Sequence, residues 1–214
     1  MLRPAVLALS LLPASLAAHP HVFVEAQVAL VFEGDALVGV RLSWTYDDFF
    51  SLLLTEDLGV DPDGDMVLTP AEQAIVRASV LDWPEDYAGD LVVAGPGGPL
   101  ALGPRMDADV QVTGGRVIES HTRMLAQPVA PGAEGGVTVQ VYDPFYYVAY
   151  SIVGEIAMEG GAACAAAYAP ADLDKAYAVL DELLYGRPAS DVGPDEEFPM
   201  VGVMFADTIT VTCS

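Results

Sequence analysis

Apolar residues recur at every second position directly after His21. Every second residue from Val22 to Phe32 is apolar, and His21 and Glu25 lie on the opposite side of that pattern. Because successive side chains of a strand point to opposite faces, the pattern predicts a half-buried strand. The turn Glu33-Gly34-Asp35 leads into a second alternating run, Leu37 to Thr45, so the two runs predict a β-hairpin.

The apolar spacing then changes to that of a helix. From Tyr46 to Leu58 the pattern predicts a helix with an apolar stripe toward the core, formed by Phe49, Phe50, Leu53, Leu54 and Leu58. A second helix is predicted from Thr69 to Leu81. Thr69 is a good N-cap and Pro70 suits the first helical position, while Glu72 completes a capping box.

The rest of the chain predicts further strands and one more helix. Strand-like runs cover 90–94, 100–102, 109–113, 116–125, 137–142 and 200–213, and the third helix carries Leu173, Tyr177, Leu180 and Leu184. The order of elements predicts an α+β fold with a mainly antiparallel sheet. An EF-hand-like helix-loop-helix is inserted at about 46–82, and one helix lies near the C-terminus.

Residues 1–18 have the features of a secretion signal. Arg3 gives a positive start, an apolar stretch follows, and small residues end with Ala17-Ala18. Cleavage there leaves residues 19–214 as a single predicted periplasmic domain, with no stable membrane insertion after the signal is removed.

The charge balance narrows the classes of partner. The formal net charge is −23, which argues against nucleic acid and anionic membrane surfaces and suits cations or simple solubility. The sequence contains no nucleophile motif, phosphate loop or H-E-x-x-H, so we expect a protein that is not an enzyme.

Cys164 and Cys213 are the two cysteines of the chain. An exported protein lies where disulfides form and persist, and one pair allows one connectivity. We expect a structural disulfide that ties the last strand to the segment around Cys164.

Two of the three histidines lie in His19-Pro20-His21, directly after the predicted signal. If this segment is extended, both rings project on one face and can chelate a transition metal such as Zn, Ni, Co or Cu. Pro20 has no N–H, which excludes a chelate through two deprotonated backbone amides. The alternative is a solvated N-terminus that binds nothing.

Two histidines do not complete a metal site, and the sequence offers His121 and Glu25 as further ligands. His121 could complete the site if its strand neighbours the first strand, and a surface histidine beside Glu119 and Arg123 is the alternative. Glu25 could be a ligand or could orient an imidazole.

A separate oxygen-based site is predicted at residues 61–72. Asp61, Asp63 and Asp65 take positions one, three and five of an EF-hand loop, and Glu72 takes position twelve. The remaining oxygens would come from the Val67 carbonyl at position seven and from Thr69 at position nine. The pattern predicts calcium, and the alternative is an acidic loop that keeps the shape without the ion.

Met66 departs from this pattern, because position six should be glycine. A methionine held at positive φ costs roughly 1–2 kcal/mol. If that strain arose only in the bound form, calcium affinity would fall about tenfold.

These motifs, in this order, resemble a bacterial periplasmic family known as domain of unknown function 1007. The resemblance rests on His-Pro-His-Val-Phe-Val, the segments 44–51 and 61–72, Tyr142-Asp143-Pro144 and the final stretch from Phe205 to Cys213. It covers essentially the whole mature chain. It implies a metal-handling protein that works with a membrane metal permease of the nickel/cobalt type.

Two functional hypotheses follow. The first is a periplasmic metal-binding accessory, or substrate-binding component, of a Zn, Ni or Co transport system. The second is a calcium-stabilised, non-catalytic periplasmic domain that docks on a membrane partner.

Overall fold

Two β-sheets pack face to face across one apolar core. The structure, a computed structural model, describes residues 20–84, 87, 89–132, 136–192, 196 and 198–214. The predicted signal at 1–18 and His19 lie outside these residues. The helices are α1 (Asp48–Asp57), α2 (Pro70–Val80) and α3 (Leu173–Leu183). The strands are β1 (Val22–Glu33), β2 (Ala36–Tyr46), β3 (Leu91–Gly95), β4 (Gly98–Pro99), β5 (Leu102–Thr113), β6 (Arg116–Val129), β7 (Val137–Val141), β8 (Val148–Ile152), β9 (Ala157–Glu159), β10 (Cys164–Ala169) and β11 (Thr208–Cys213).

The first sheet has the strand order β5-β6-β2-β1-β8, with β9 also pairing with β1. The second sheet has the order β10-β11-β7-β3-β4. Only the pairings of β1 with β8 and β9 are parallel among the described strands. The predicted α+β class with mainly antiparallel sheet is therefore confirmed, and so is the β1–β2 hairpin.

The core lies between the two inner faces. The predicted alternation of β1 is observed, with Val22 to Phe32 buried at every second position. Side chains of β1 and β2 meet those of β3, β7 and β11 in one cluster, whose largest fully buried members include Trp44, Leu30 and Ile209. This arrangement follows from period-two patterning on both sheets.

The predicted strand from Met200 is wrong over its first half. Gly202–Phe205 forms a short 3-10 helix, and the strand begins only at Thr208. The Gly202 amide donates to the Pro144 carbonyl at 2.9 Å. A Cβ at position 202 would lie 1.8 Å from the Asp143 carbonyl oxygen, so this close approach requires glycine.

Polar contacts hold the helix pair α1–α2 on the β5–β6 hairpin. The Gln73 side chain donates to the Val112 carbonyl and accepts from the Val112 amide, both at 3.0 Å. Ser51 Oγ accepts from the Val117 amide, also at 3.0 Å. These bonds satisfy strand-edge groups that the ladder leaves unpaired.

The predicted orientation of α1 is wrong for part of its stripe. Phe49 and Leu53 are exposed, whereas Ser51 and Thr55 are the buried residues of the helix. Phe50, Leu54 and Leu58 of the predicted stripe are partly buried and pack against buried apolar residues. Ser51 faces inward because it accepts a hydrogen bond from the Val117 amide.

The predicted disulfide is confirmed. Cys164 on β10 and Cys213 on β11 are directly opposite in the ladder and are bonded to each other. The bond is consistent with an oxidising, extracytoplasmic location. None of the three α-helices in the described part of the chain has the length and apolar composition of a membrane span.

A buried carboxyl links the two sheets. The hydroxyl of Tyr150, on β8, donates to Asp90 Oδ2 at 2.8 Å, and Asp90 immediately precedes β3. Burial raises the pKa of Asp90 to about 6, although hydrogen bonds from Tyr150 and Tyr87 act in the opposite direction. Folding therefore favours the protonated carboxyl.

We expect the Asp90→Asn variant to gain stability relative to the wild type as pH rises from about 4 to about 6. Across this window the folded protein keeps a proton that the unfolded chain has released, since an unfolded aspartate titrates near 3.9, so the contribution of Asp90 to the unfolding free energy falls. The difference should reach about 1–3 kcal/mol. Urea unfolding of both proteins at several pH values measures it, and a difference that does not change with pH would contradict this assignment.

Candidate metal centre

The loop between α1 and α2 is fixed at both ends. At its start, Gly59 takes a left-handed conformation (φ 63°) directly after the end of α1. At its end, the Thr69 side chain and the Glu72 backbone and side chain form the predicted capping box, with Pro70 at the first helical position. Capping satisfies amides that the first turn cannot pair internally.

Three carboxylates converge within this loop. Asp61, Asp63 and Asp65 each offer an oxygen, and these oxygens lie within 4.8 Å of one another. Asp61 is only 9% exposed, and its buried Oδ1 accepts no hydrogen bond from the described residues. The negative charge of Asp65 is the main cause that raises the pKa of Asp63. Both observations indicate a cluster that a cation would stabilise.

The loop itself holds Met66 in the left-handed region. Met66 has φ 58°, as the sequence predicted, and Asp61 also has φ 58°. The Met66 amide donates to Asp61 Oδ2 at 2.9 Å, and its sulfur lies 3.6 Å from Thr55 Oγ1. Because an internal hydrogen bond and a side-chain contact fix this conformation, the strain of about 1–2 kcal/mol belongs to the folded loop.

The remaining loop residues lie at the margin of the carboxylate cluster. Glu72 Oε2 accepts from the amide and hydroxyl of Thr69, both at 2.8 Å, and Glu72 Oε1 accepts from the Asp61 amide at 3.4 Å. These bonds to Thr69 lower the pKa of Glu72 and keep it ionised. The Val67 amide donates to Asp65 Oδ1 at 2.8 Å. The structure thus brings the carboxylates of Asp61, Asp63 and Asp65 together. Glu72 contacts the Asp61 backbone, but its carboxylate is not one of the three that converge.

The donor set fits a hard cation. All the candidate ligands are oxygens, and hard divalent cations such as calcium prefer carboxylate and carbonyl oxygens. Within the described part of the chain, Asp61 Oδ1 is buried and accepts no hydrogen bond, so a bound ion would offset the cost of its burial. Asp61, Asp63 and Asp65 would hold such an ion, with Glu72 within reach of the same loop.

His21 and Glu25 share the exposed face of β1, as predicted. The His21 ring stacks on Tyr147 with the ring centroids 4.5 Å apart. Glu25 Oε2 accepts from Arg116 at 3.1 Å, so this carboxylate has an ion-pair partner. His19, the other half of the predicted chelate, lies outside the described residues.

His121 does not join that site. It is 1% exposed on the inner face of the first sheet, and its ring packs edge-on against Trp44 and Trp83 with centroids 4.8 and 5.1 Å away. Its ladder partner Leu42 pairs in turn with Val28. That position is seven residues from His21, or roughly 23 Å along the strand, and on the opposite face. Neither a ligand shared with His21 nor a surface histidine is therefore observed.

Around His121 lies a buried polar cluster that the sequence analysis missed. Glu119 Oε1 lies 3.3 Å from His121 Nδ1 and accepts from Arg105 at 3.2 Å. The Arg105 guanidinium lies over the Trp83 ring, 3.8 Å from its centroid. The sequence does show polar residues at alternate positions of this strand, in Glu119-x-His121-x-Arg123, and these positions face the core. The ion pair compensates the charge of Glu119 inside the core.

The fold and the loop define this molecule as a two-sheet α+β domain with an inserted EF-hand-like helix-loop-helix. The chain belongs to the family described as "Protein of unknown function (DUF1007)", whose family model matches residues 4–213. It is similar to an uncharacterized protein of Haemophilus influenzae, with 24% identity over 208 residues that cover 92% of this chain and 91% of that protein.

Substitutions at Met66 test where the strain resides. At ordinary positions alanine is more stabilising than glycine, but at positive φ the order reverses. We expect Met66→Gly to unfold with a free energy about 1 kcal/mol higher than Met66→Ala, since both lack the methionine side chain and only alanine keeps the clash. Denaturant unfolding of the two variants measures this difference. A more stable alanine variant would show that the left-handed conformation is not maintained in solution.

Proposed function

We propose that the protein is a calcium-stabilised, non-catalytic periplasmic domain that docks on a membrane partner. The observation that carries the calcium assignment is the convergence of Asp61, Asp63 and Asp65 around a buried carboxylate oxygen without a hydrogen-bond donor among the described residues. The disulfide and the predicted signal support a location outside the cytoplasm. Calcium is abundant enough there for a weak site to fill.

Calcium would stabilise the link between the loop and the two helices. The loop contacts α1 through Met66 and Thr55 and begins α2 at Thr69. An ion held by Asp61, Asp63 and Asp65 would offset their mutual repulsion. The helix pair would then be more firmly ordered on the β5–β6 hairpin. A docking function depends on this order, because the partner would contact the helix pair.

Thermal unfolding in calcium and in chelator tests this proposal. Calcium at about 100 times its Kd should add about 2.7 kcal/mol to the unfolding free energy and raise the Tm by roughly 5–10 °C. Asp63→Asn should reduce the shift sharply, because it removes a candidate ligand charge on an exposed side chain.

Asp181→Asn, an exposed aspartate on α3, is the matched control and should keep the full shift. An equal Tm in calcium and chelator, or an undiminished shift in Asp63→Asn, would contradict the calcium site.

A second candidate is a metal-binding accessory or substrate-binding component of a Zn, Ni or Co transport system. It is supported by the exposed position of His21 at the N-terminal end of β1, two residues from His19. The partner would be a membrane permease of the nickel/cobalt type, as the family resemblance implies. Metal binding requires neutral imidazoles and releases protons, so binding should weaken in acid.

Isothermal titration of correctly processed protein with zinc, nickel, cobalt and copper tests this second candidate. The double variant His19→Ala, His21→Ala should lose binding of the preferred metal by about tenfold or more while keeping the calcium response, because the loop is separate. Unchanged affinity in the double variant would exclude the histidine chelate.

A further inference from the structure

Three apolar side chains of helix α1 are exposed to solvent. Phe49 is 66% exposed, and Leu52 and Leu53 are each 40% exposed. Their spacing of i, i+3 and i+4 puts them on one face of the helix. Isolated exposed apolar residues are ordinary on a protein surface, but three on one helical face form a patch of the kind that marks interaction sites.

The helix cannot turn this patch inward. Ser51 accepts from the Val117 amide at 3.0 Å, and the Thr55 hydroxyl donates to the Leu52 carbonyl at 2.8 Å, so the polar inward face is hydrogen-bonded. The N-cap Asp47 also accepts from the amides of Phe23 and Phe50, each at 2.8 Å. Rotation of α1 would break the bonds that Ser51 and Asp47 accept from the amides of Val117 and Phe23.

Phe23 extends the patch. It is 55% exposed on the outer face of β1, and the Asp47 amide donates back to its carbonyl at 2.9 Å. This reciprocal pair of bonds ties Phe23 to the N-terminus of α1. We define the α1 surface as Phe23, Phe49, Leu52 and Leu53.

The charged residues of α1 and its two ends are all acidic. The segment from Asp47 to Leu58 contains Asp47, Asp48, Glu56 and Asp57 and no lysine or arginine. The Asp48 side chain is 87% exposed, and its contact with Arg116 is 3.5 Å long. A second copy would bring like charges together, and the net charge of −23 would add to that repulsion. Anionic lipid is disfavoured for the same reason.

We propose that the α1 surface is the docking site for a cationic amphipathic segment of a protein partner. Its apolar residues would cover Phe23, Phe49, Leu52 and Leu53, and its lysines or arginines would face Asp48, Glu56 and Asp57. In such recognition of an amphipathic segment, apolar anchors give affinity and charges give orientation. The inference rests on the proposed function in that the domain acts by docking, and it names the surface and the chemistry of the partner.

Fluorescence anisotropy with a model peptide tests this inference on the full mature chain. The probe is an 18-residue labelled peptide of leucine and lysine, with leucines at i, i+3, i+4 and i+7. We expect binding that weakens at least about tenfold in Phe49→Gln, Leu53→Gln, because two apolar anchors are lost. The matched control Leu173→Gln, Leu183→Gln alters exposed leucines on α3 and should leave binding unchanged.

Charge variants provide a second test that leaves the apolar residues in place. Glu56→Lys, Asp57→Lys should weaken binding of the lysine peptide and strengthen binding of a leucine–glutamate peptide. Equal binding of the two peptides by the wild type, or equal binding of the lysine peptide by wild type and the Phe49 double variant, would overturn the inference. Self-association of the wild type, or binding to phosphatidylglycerol vesicles, that depends on Phe49 and Leu53 would also overturn it.

Each titration is run in calcium and in chelator to separate the two proposals. Peptide binding that depends on Phe49 but not on calcium supports the α1 surface even if calcium fails to raise the Tm. A calcium-dependent Tm without peptide binding supports the loop site and overturns the docking inference.

Discussion

The hydrogen bonds between the helix pair and the β5–β6 hairpin determine the arrangement of the candidate sites. Gln73 pairs with both backbone groups of Val112, and Ser51 accepts from Val117, so two helices are anchored on neighbouring positions of one hairpin. The twelve-residue loop spans these anchors, and its carboxylates converge because its ends are fixed. The same bonds fix which side of α1 faces inward. Phe50 and Leu54 pack against buried apolar residues on that side, and Phe49, Leu52 and Leu53 are left exposed.

Charge repulsion and backbone strain both destabilise the loop. The three aspartates repel one another, as the raised pKa of Asp63 reflects, and Met66 occupies a conformation that favours glycine. Asp61 offsets part of this cost by accepting from the Met66 amide, and the capping box offsets more. A cation would remove the repulsion but not the backbone strain. Because the strain is present in the loop without an ion, it should lower the stability of the folded protein and leave the affinity for calcium unchanged.

Local sequence patterns predicted most helices and strands correctly. The features that they did not predict depend on contacts between residues distant in sequence. The alternation of β1, the capping box at Thr69 and the Cys164–Cys213 bond depend on residues or connectivity visible in the chain itself. The outward face of α1 depends on the Val117 amide, 66 residues away. The burial of His121 depends on Trp83 and on the Arg105–Glu119 ion pair, which a strand pattern does not reveal. The 3-10 helix at Gly202 depends on its contact with Pro144.

The central claim is that the loop from Asp61 to Glu72 binds one calcium ion, and equilibrium dialysis with radioactive calcium tests it directly. At about 5 mM free calcium, above the range expected for weak extracellular sites, we expect one ion per wild-type chain. We expect little bound ion in Asp61→Asn, whose buried oxygen is the key ligand. No bound calcium in the wild type, or equal binding in both proteins, would contradict it.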